Sequence, residues 1–153
     1  MNKTDPAFRE VCLRFGCKPD VVAAIVTVES TWDPYALRFE PGYVHLWKVK
    51  DFARLHRITE ETEKVAQMHS YGLMQIMGGT ARSVGFTGPI GKLYDPKVNV
   101  EYGCRYLGRL MDRYPKLQDH IAAYNAGSAR RAPDGSYQNQ RYVDKVLRAL
   151  NVN

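Results

Sequence analysis

The sequence has few of the residue patterns that bind metals or form disulfide frameworks. Its three cysteines form no C-x-x-C pair, and its four histidines form no H-x-x-x-H pattern. These spacings exclude the common zinc motifs, and an odd number of cysteines does not suit a disulfide framework. We therefore expect no metal and no other cofactor, and we expect Cys12, Cys17 and Cys104 to be buried, reduced thiols.

Long apolar runs are absent as well. No segment approaches the roughly 18 consecutive apolar residues of a membrane span. Residues 1–16 contain charged side chains throughout and lack the apolar core of a signal peptide. The sequence predicts a protein that is made in the cytoplasm and does not insert stably into a membrane. A substrate outside the membrane would require delivery by another agent.

The composition is that of an ordinary globular domain. The chain has 153 residues, of which 44% are hydrophobic and 25% charged, and its formal net charge is +6. This length predicts one domain, residues 1–153, and we expect a monomer. A positive charge favours nucleic acid, anionic membranes or an acidic cell envelope without choosing among them. No helix-turn-helix signature is present and the basic residues do not concentrate on one helix, so we expect no nucleic-acid partner.

Helix start and stop signals recur along the chain. Asp5-Pro6 and Asp95-Pro96 each combine a capping carboxylate with a proline suited to the first turn. Residues 51–68 have a helical pattern with a possible break at Ile58-Thr59. The whole pattern predicts an all-α fold of six to eight helices, α+β at most through one small hairpin.

The sequence predicts two further local features, one at residues 41–42 and one at residues 60–64. Pro41-Gly42, flanked by alternating apolar residues, could form the turn of the small hairpin. The acidic segment at residues 60–64, EETEK, is typical of a solvated helix face.

The segment Val21–Ser30, VVAAIVTVES, is an apolar run of helical length that ends in a carboxylate, Glu29. On a helix, Val22, Ile25 and Val26 share the face of Glu29. Desolvation and the negative end of the helix both raise the pKa of a carboxyl group placed there. Such a group can act as a general acid near neutral pH. A partly exposed glutamate paired with an arginine is the alternative.

Aromatic residues are dense between the second and third predicted helices. They are Trp32, Tyr35, Phe39, Tyr43 and Trp47. Aromatic faces are natural platforms for the apolar C–H faces of sugar rings, and they are equally natural core residues. The sequence does not decide whether the aromatics from Trp32 to Trp47 line a groove.

Three short strings now stand in order: Glu29-Ser30, then GLMQI at residues 72–76, then AYNAG at residues 123–127, with Tyr142 following in the last helix. This order resembles the soluble lytic transglycosylases, the bacterial and phage relatives of goose-type lysozyme. The resemblance covers about residues 19–150. It implies a lysozyme-like domain with a long groove that binds the glycan strands of peptidoglycan.

The resemblance also implies a reaction. Glu29 would protonate the oxygen between N-acetylmuramic acid and N-acetylglucosamine, and would then accept the proton of the muramic C6 hydroxyl. That hydroxyl attacks C1 and closes a 1,6-anhydro ring. The 2-acetamido group of the sugar can stabilise the cationic centre, so one carboxylate suffices where most glycosidases need two.

The remaining family positions give the other expected contacts. By resemblance, Gly72 allows close approach of the sugar and Gln75 offers it an amide. Tyr124 and Asn125 resemble residues of the groove that bind substrate, as does Ser30 beside Glu29.

Tyr142 resembles the family tyrosine whose hydroxyl faces the catalytic carboxylate, which it would orient within the substrate-binding groove. A half-buried tyrosine on an amphipathic helix is the alternative.

The sequence departs from the family between its first two strings, where many relatives have a short segment with a serine that contacts the acetamido group. Here the segment is long, residues 31–71, and Ser70 is a candidate for that serine. A second acid, Glu40, lies within this segment. If Glu40 faced Glu29, it could activate water, and the enzyme would be a hydrolytic muramidase.

Two further interpretations concern the protein's biology. A short basic domain of this kind resembles a phage endolysin or a virion-associated protein, which reaches the cell wall after holin-type release or with the particle. A virion component that binds peptidoglycan without cleaving it is the non-catalytic alternative.

Overall fold

The computed structural model describes residues 1–151, and it is predominantly helical with one small sheet. The helices are α1 Pro6–Arg14, α2 Pro19–Ser30, α3 Val49–His56, α4 Glu60–Gln67, α5 Gly78–Ser83, α6 Pro96–Arg113, α7 Leu117–Ala126 and α8 Gln140–Asn151, with a 3₁₀ helix at Ile90–Tyr94. The strands are β1 Leu37–Phe39, β2 His69–Tyr71 and β3 Ile76–Met77. The predicted helical fold is confirmed.

The caps read from the sequence form as predicted. The side chain of Asp5 accepts a hydrogen bond from the backbone of Ala7, at 2.9 Å. Asp95 does the same at the start of α6, where Pro96 occupies the first turn. Thr59 caps α4 and separates it from α3, so the break predicted near this residue is real. These carboxylate and hydroxyl oxygens satisfy backbone N–H groups that have no partner within the helix.

The helix α2 lies within the main core. Every residue from Val21 to Val26 is buried, and α2 packs against α1 and α8. The core continues through α6 and α7 and includes Leu73 and Met74 between them. The three cysteines belong to this core as free, buried thiols, as predicted. Because the buried helix ends at Ser30, its last turn brings Glu29 from the core to the edge of a groove.

The sheet differs from the predicted hairpin. It has three antiparallel strands in the order β1-β2-β3, with Arg38 opposite Ser70. The hairpin predicted at Pro41-Gly42 is wrong, because these residues form a turn after β1 and the chain returns to the sheet only at His69. The two hairpin-forming strands are instead β2 and β3, which flank the turn Gly72–Gln75.

The prediction of a solvated face for EETEK is also wrong in its fourth residue, Glu63. Glu63 is fully buried, and Arg82, equally buried, binds it through Nε and Nη2 at 2.9 and 3.2 Å. The guanidinium also packs on Phe52, with 4.1 Å from its carbon to the ring centre. A buried carboxylate requires such a partner, and the partner is 19 residues away in sequence, so helical periodicity could not reveal it.

Candidate active site

The groove beside the end of α2 has a volume of about 360 Å³. Its lining comes from distant parts of the chain: Glu29, Arg38, Glu40, Gly42, Tyr43, His45, Ser70, Gln75, Ile76, Met77, Thr80, Tyr106, Tyr124, Asn125, Ala126 and Gly127. Both candidate carboxylates, Glu29 and Glu40, are therefore in one groove. The groove also contains members of the second and third sequence strings.

Glu29 has the environment that its sequence position predicts. Val22, Ile25 and Val26, on its face of α2, are completely buried. The Tyr142 hydroxyl donates a hydrogen bond to Glu29 Oε1 at 2.7 Å. Burial raises the pKa of the Glu29 carboxyl, and the Tyr142 hydrogen bond and the charge of Arg38 act in the opposite direction with smaller effect. The result is a carboxyl group that retains its proton to higher pH than an exposed glutamate does.

Tyr142 lies on α8, which packs directly against α2. Burial and the neighbouring Glu29 carboxylate raise the pKa of Tyr142 well above its ordinary value. The phenol therefore keeps its proton and remains a hydrogen-bond donor around neutral pH. It holds the Glu29 carboxyl in one orientation and stabilises its ionised form.

The turn Gly72–Gln75 is a structural junction. Asn99 on α6 accepts a hydrogen bond from the Met74 N–H at 2.8 Å and donates to the Tyr71 and Leu93 carbonyls. Hydroxyl groups from two further helices reach the carbonyls of the same turn. As a result, the string GLMQI connects α2, α6 and α7 through hydrogen bonds.

Two of the residues predicted to contact substrate take part in this junction. Ser30 is buried, and its Oγ donates to the Leu73 carbonyl at 2.8 Å. Gly72 has a φ of +63°, and a Cβ there would lie 2.6 Å from Asn99 Nδ2. The missing side chain of Gly72 admits the Asn99 amide, and its close approach to the sugar stays a prediction. Neither Ser30 nor Gly72 is among the residues that line the groove.

Gln75 and Tyr124 do line the groove, and both have bonds within the protein. The Gln75 amide nitrogen donates to the Ala36 and Gly72 carbonyls, each at 3.0 Å, and its oxygen accepts from Ser70 at 2.8 Å. Both of its amide protons are used, so Gln75 holds the backbone just before β1 in place. Only its amide oxygen is left to accept a hydrogen bond from a ligand. The Tyr124 hydroxyl donates to the Met74 carbonyl at 2.8 Å. Their substrate contacts stay predictions.

Asn125 is exposed in the groove, where Asn139 donates to its Oδ1 at 3.0 Å. Asn139 thereby fixes the orientation of the Asn125 side-chain amide, and the Asn125 N–H₂ group remains available as a donor. Ser70 lines the groove but is nearly inaccessible, because it is bonded to Gln75. This engagement makes Ser70 a poor replacement for the acetamido-binding serine of many relatives.

The long segment at residues 31–71 supplies groove residues that sequence reasoning did not assign. Tyr43 packs against Gly79, and its hydroxyl is 3.1 Å from Thr80 Oγ1. Of the five aromatic residues from Trp32 to Trp47, Tyr43 lines the groove, whereas Trp32 packs on Phe8 in the core. Trp47 lies outside the groove lining. The Pro-Gly turn that places Tyr43 was visible in the sequence, but the partner surface on α5 was not.

The segment is anchored from inside the fold by α4. The Gln67 amide accepts from the Trp47 N–H at 2.7 Å and donates to the Trp47 carbonyl at 2.9 Å. The same amide nitrogen donates to Glu63, whose carboxylate is held by Arg82. A buried polar network thus fixes the end of the loop that carries Tyr43.

Within residues 1–151, no cluster of three histidine, cysteine or acidic side chains has the arrangement of a metal site. Over the same residues, no helix combines the length and apolar character needed to cross a bilayer.

Comparison with known proteins identifies the family of the chain. The family described as Transglycosylase SLT domain matches residues 6–146. Membrane-bound lytic murein transglycosylase C of Actinobacillus pleuropneumoniae serotype 5b is 26% identical over 156 residues, which covers 92% of this chain and 35% of that protein. A transglycosylase of Enterobacteria phage PRD1 is 35% identical over 81 residues, or 53% of this chain and 28% of that protein. The chain thus spans about a third of the length of these relatives.

A solved structure is similar in fold. The lytic transglycosylase Slt from Pseudomonas aeruginosa, an inactive mutant, superposes with a TM-score of 0.66 at 18% identity. The match covers 95% of this chain and 23% of that one. The lysozyme-like fold predicted from the sequence is confirmed, and with a family match over nearly its whole length, the chain belongs to the transglycosylase SLT domain family.

Proposed function

We propose that this protein cleaves the β-1,4 bond between N-acetylmuramic acid and N-acetylglucosamine in peptidoglycan and closes a 1,6-anhydro ring on the muramic acid. The observation that carries the proposal is the Glu29 carboxyl: it lies in a groove, burial raises its pKa, and one tyrosine hydroxyl orients it. The family match and the lytic murein transglycosylases among the relatives support the same substrate.

The first step needs a proton donor at the bridging oxygen. Glu29, protonated because its carboxyl is partly desolvated, gives its proton to that oxygen as the bond to C1 breaks. The N-acetylglucosamine leaves with its hydroxyl restored. The 2-acetamido oxygen of the muramic acid stabilises the positive charge at C1, so a second protein carboxylate is not needed.

The second step uses the carboxylate that the first step leaves. Glu29 accepts the proton of the muramic C6 hydroxyl, whose oxygen bonds to C1 and closes the ring. No water is consumed, and Glu29 ends as it began, protonated. Between the two steps the Tyr142 hydrogen bond and the Arg38 charge stabilise the ionised Glu29.

A hydrolytic muramidase is the second candidate, and one observation favours it: Glu40 lines the same groove as Glu29. Against it stands the ion pair of Glu40 with Arg38, at 2.5 Å. A base that activates water needs a free oxygen lone pair and a site for the water beside C1. The pairing weakens Glu40 as such a base.

Digestion of purified sacculi in water enriched in oxygen-18 separates the two reactions. Ring closure gives muropeptides with anhydro ends, one water lighter than hydrolysed ends and free of the label. Hydrolysis places oxygen-18 on the new reducing end. Glu29→Gln should release nothing soluble, and Glu10→Gln, an exposed glutamate on α1, should behave as the unmodified protein.

Each outcome of this digestion decides something. Labelled reducing ends would establish the muramidase. A protein that sediments with sacculi and releases no sugar would be the non-catalytic binding component.

We further propose that the protein acts on the cell wall as a phage endolysin or a virion-associated enzyme. The similarity to the phage PRD1 transglycosylase supports a phage setting, and the net charge of +6 favours anionic envelope polymers. Mass spectrometry of purified virions distinguishes the two, since an endolysin would be found only in the lysate. Absence from both fractions would remove the phage setting.

A further inference from the structure

The groove contains an arginine, Arg38, that neither gives nor accepts a proton in the proposed reaction. In the register of the sheet, Arg38 stands opposite Ser70, and both side chains line the groove. Their neighbours Leu37 and Phe39 belong to the opposite face of β1, because successive residues of a strand alternate between faces. The short strand therefore delivers a single guanidinium into the groove that Glu29 lines.

Glu40 is placed to hold that guanidinium. Its backbone N–H donates to the Met68 carbonyl at 2.9 Å, which continues the β1–β2 pairing past the end of β1. Its carboxylate contacts Arg38 Nε at 2.5 Å. Two residues that are adjacent on one face of a fixed backbone thus form an ion pair in the groove.

We propose that Glu40 is a positioning residue rather than a second catalytic acid: it holds and neutralises Arg38, and the Arg38–Glu40 pair thereby sets how firmly Glu29 keeps its proton. This inference rests on the proposed function, in which Glu29 is the proton donor. It assigns the second acid of the groove to charge balance and leaves the chemistry with one carboxylate.

The charges around Glu29 give the direction of the effect. Titratable groups approach it from three elements and from the groove: Tyr142 on α8, Tyr124 on α7, Arg38 on β1, and Glu40, Tyr43, His45 and Tyr106 in the groove lining. Of the formal charges, Arg38 opposes the effect of burial and lowers the pKa of Glu29. The negative charge of Glu40 cancels part of this influence.

The pair therefore predicts pH shifts of opposite sign. With Glu40→Gln, Arg38 is no longer neutralised, Glu29 ionises more readily, and the alkaline limb of activity moves to lower pH. With Arg38→Gln, that limb moves to higher pH. The side chains of Arg38 and Glu40 are 67% and 36% exposed, so screening reduces each shift to about 0.5 pH unit.

The test measures the rate of muropeptide release against pH for the unmodified protein, both single variants and the double variant. We expect the double variant to fall between the singles. Arg38→Lys keeps the charge and should restore the unmodified profile. His45→Gln, measured in parallel, identifies any contribution of that imidazole to the limb.

A second readout does not depend on catalysis. In protein labelled with ¹³C at the glutamate carboxyl, Glu29→Gln identifies the Glu29 resonance, whose titration should shift in the same directions. Shifts of equal sign, no shift in either variant, or loss of activity by Glu40→Gln at every pH would overturn the inference. If Glu29 titrates as expected but no anhydro product forms, the proposed function fails and the charge coupling stands.

Discussion

Replacing Glu29, the proposed proton donor, should make the protein more stable and inactive. Glu29→Gln preserves the shape of the side chain and an oxygen that can accept the Tyr142 hydrogen bond. It removes the group whose ionisation burial opposes. If Glu29 is the general acid, muropeptide release should fall by about 10² to 10⁴-fold.

The stability change depends on pH in a direction fixed by the pKa. A carboxyl group with a folded-state pKa above its unfolded value costs nothing at low pH, where it is protonated in both states. The cost grows as pH rises from the unfolded towards the folded pKa, and each unit of the shift corresponds to about 1.4 kcal/mol. Glutamine never bears this cost, so Glu29→Gln should be the more stable protein at pH 7.5 and equal to the unmodified one near pH 4.

Thermal unfolding measures this difference directly. For a chain of this length, 1 kcal/mol corresponds to about 2–4 °C in Tm, so the cost of ionising the buried Glu29 should appear as a higher Tm of the variant at pH 7.5. Glu10→Gln is the matched control: Glu10 is exposed and pairs with Arg14, and its loss should lower Tm slightly or not at all. A Tm gain for Glu29→Gln that is the same at both pH values, or a loss at pH 7.5, would refute the account of a desolvated carboxyl.

Three further variants test other contacts. Tyr142→Phe removes the donor to Glu29, a hydrogen bond to a charged group worth roughly 1.5–3 kcal/mol. Muropeptide release should fall about 10-fold or more, and its alkaline limb should move to higher pH, whereas an unchanged profile would deny Tyr142 this role. Gly72→Ala should lower Tm by about 4 °C or more, since left-handed backbone strain and the clash together cost about 2 kcal/mol. An unaffected Tm would contradict the assigned junction. Arg82→Met leaves the buried Glu63 carboxylate without its partner and should destabilise by about 3–5 kcal/mol in denaturant unfolding. A loss below 1 kcal/mol would show that the pair is not a structural anchor.

The sequence predicts those features that depend on neighbouring residues. The caps at Asp5 and Asp95, the helix break near Thr59 and the buried face before Glu29 all follow from local residue patterns. The pairing of Tyr142 with Glu29 came from family resemblance, since 113 residues separate them.

The features that sequence reasoning missed depend on partners far along the chain. The sequence did not reveal that Ser30 and Gly72 contact Leu73 and Asn99 in a structural junction. Glu63 was expected in solvent. Its partner Arg82 lies beyond two strands, so the local pattern around Glu63 does not reveal the ion pair. In each case the side chain serves the packing of elements whose contact no local pattern reveals.

The hydrogen bonds of the Gln67 amide to the Trp47 N–H and carbonyl have a practical consequence for engineering. A chimera that exchanged only residues 40–48 with a relative would separate this segment from its native contacts. The hydrogen bonds that hold the segment in place come from α4 and α5. The smallest transferable cassette therefore runs from the first strand to Arg82. An exchange of the groove-lining loop between relatives should therefore move that whole segment.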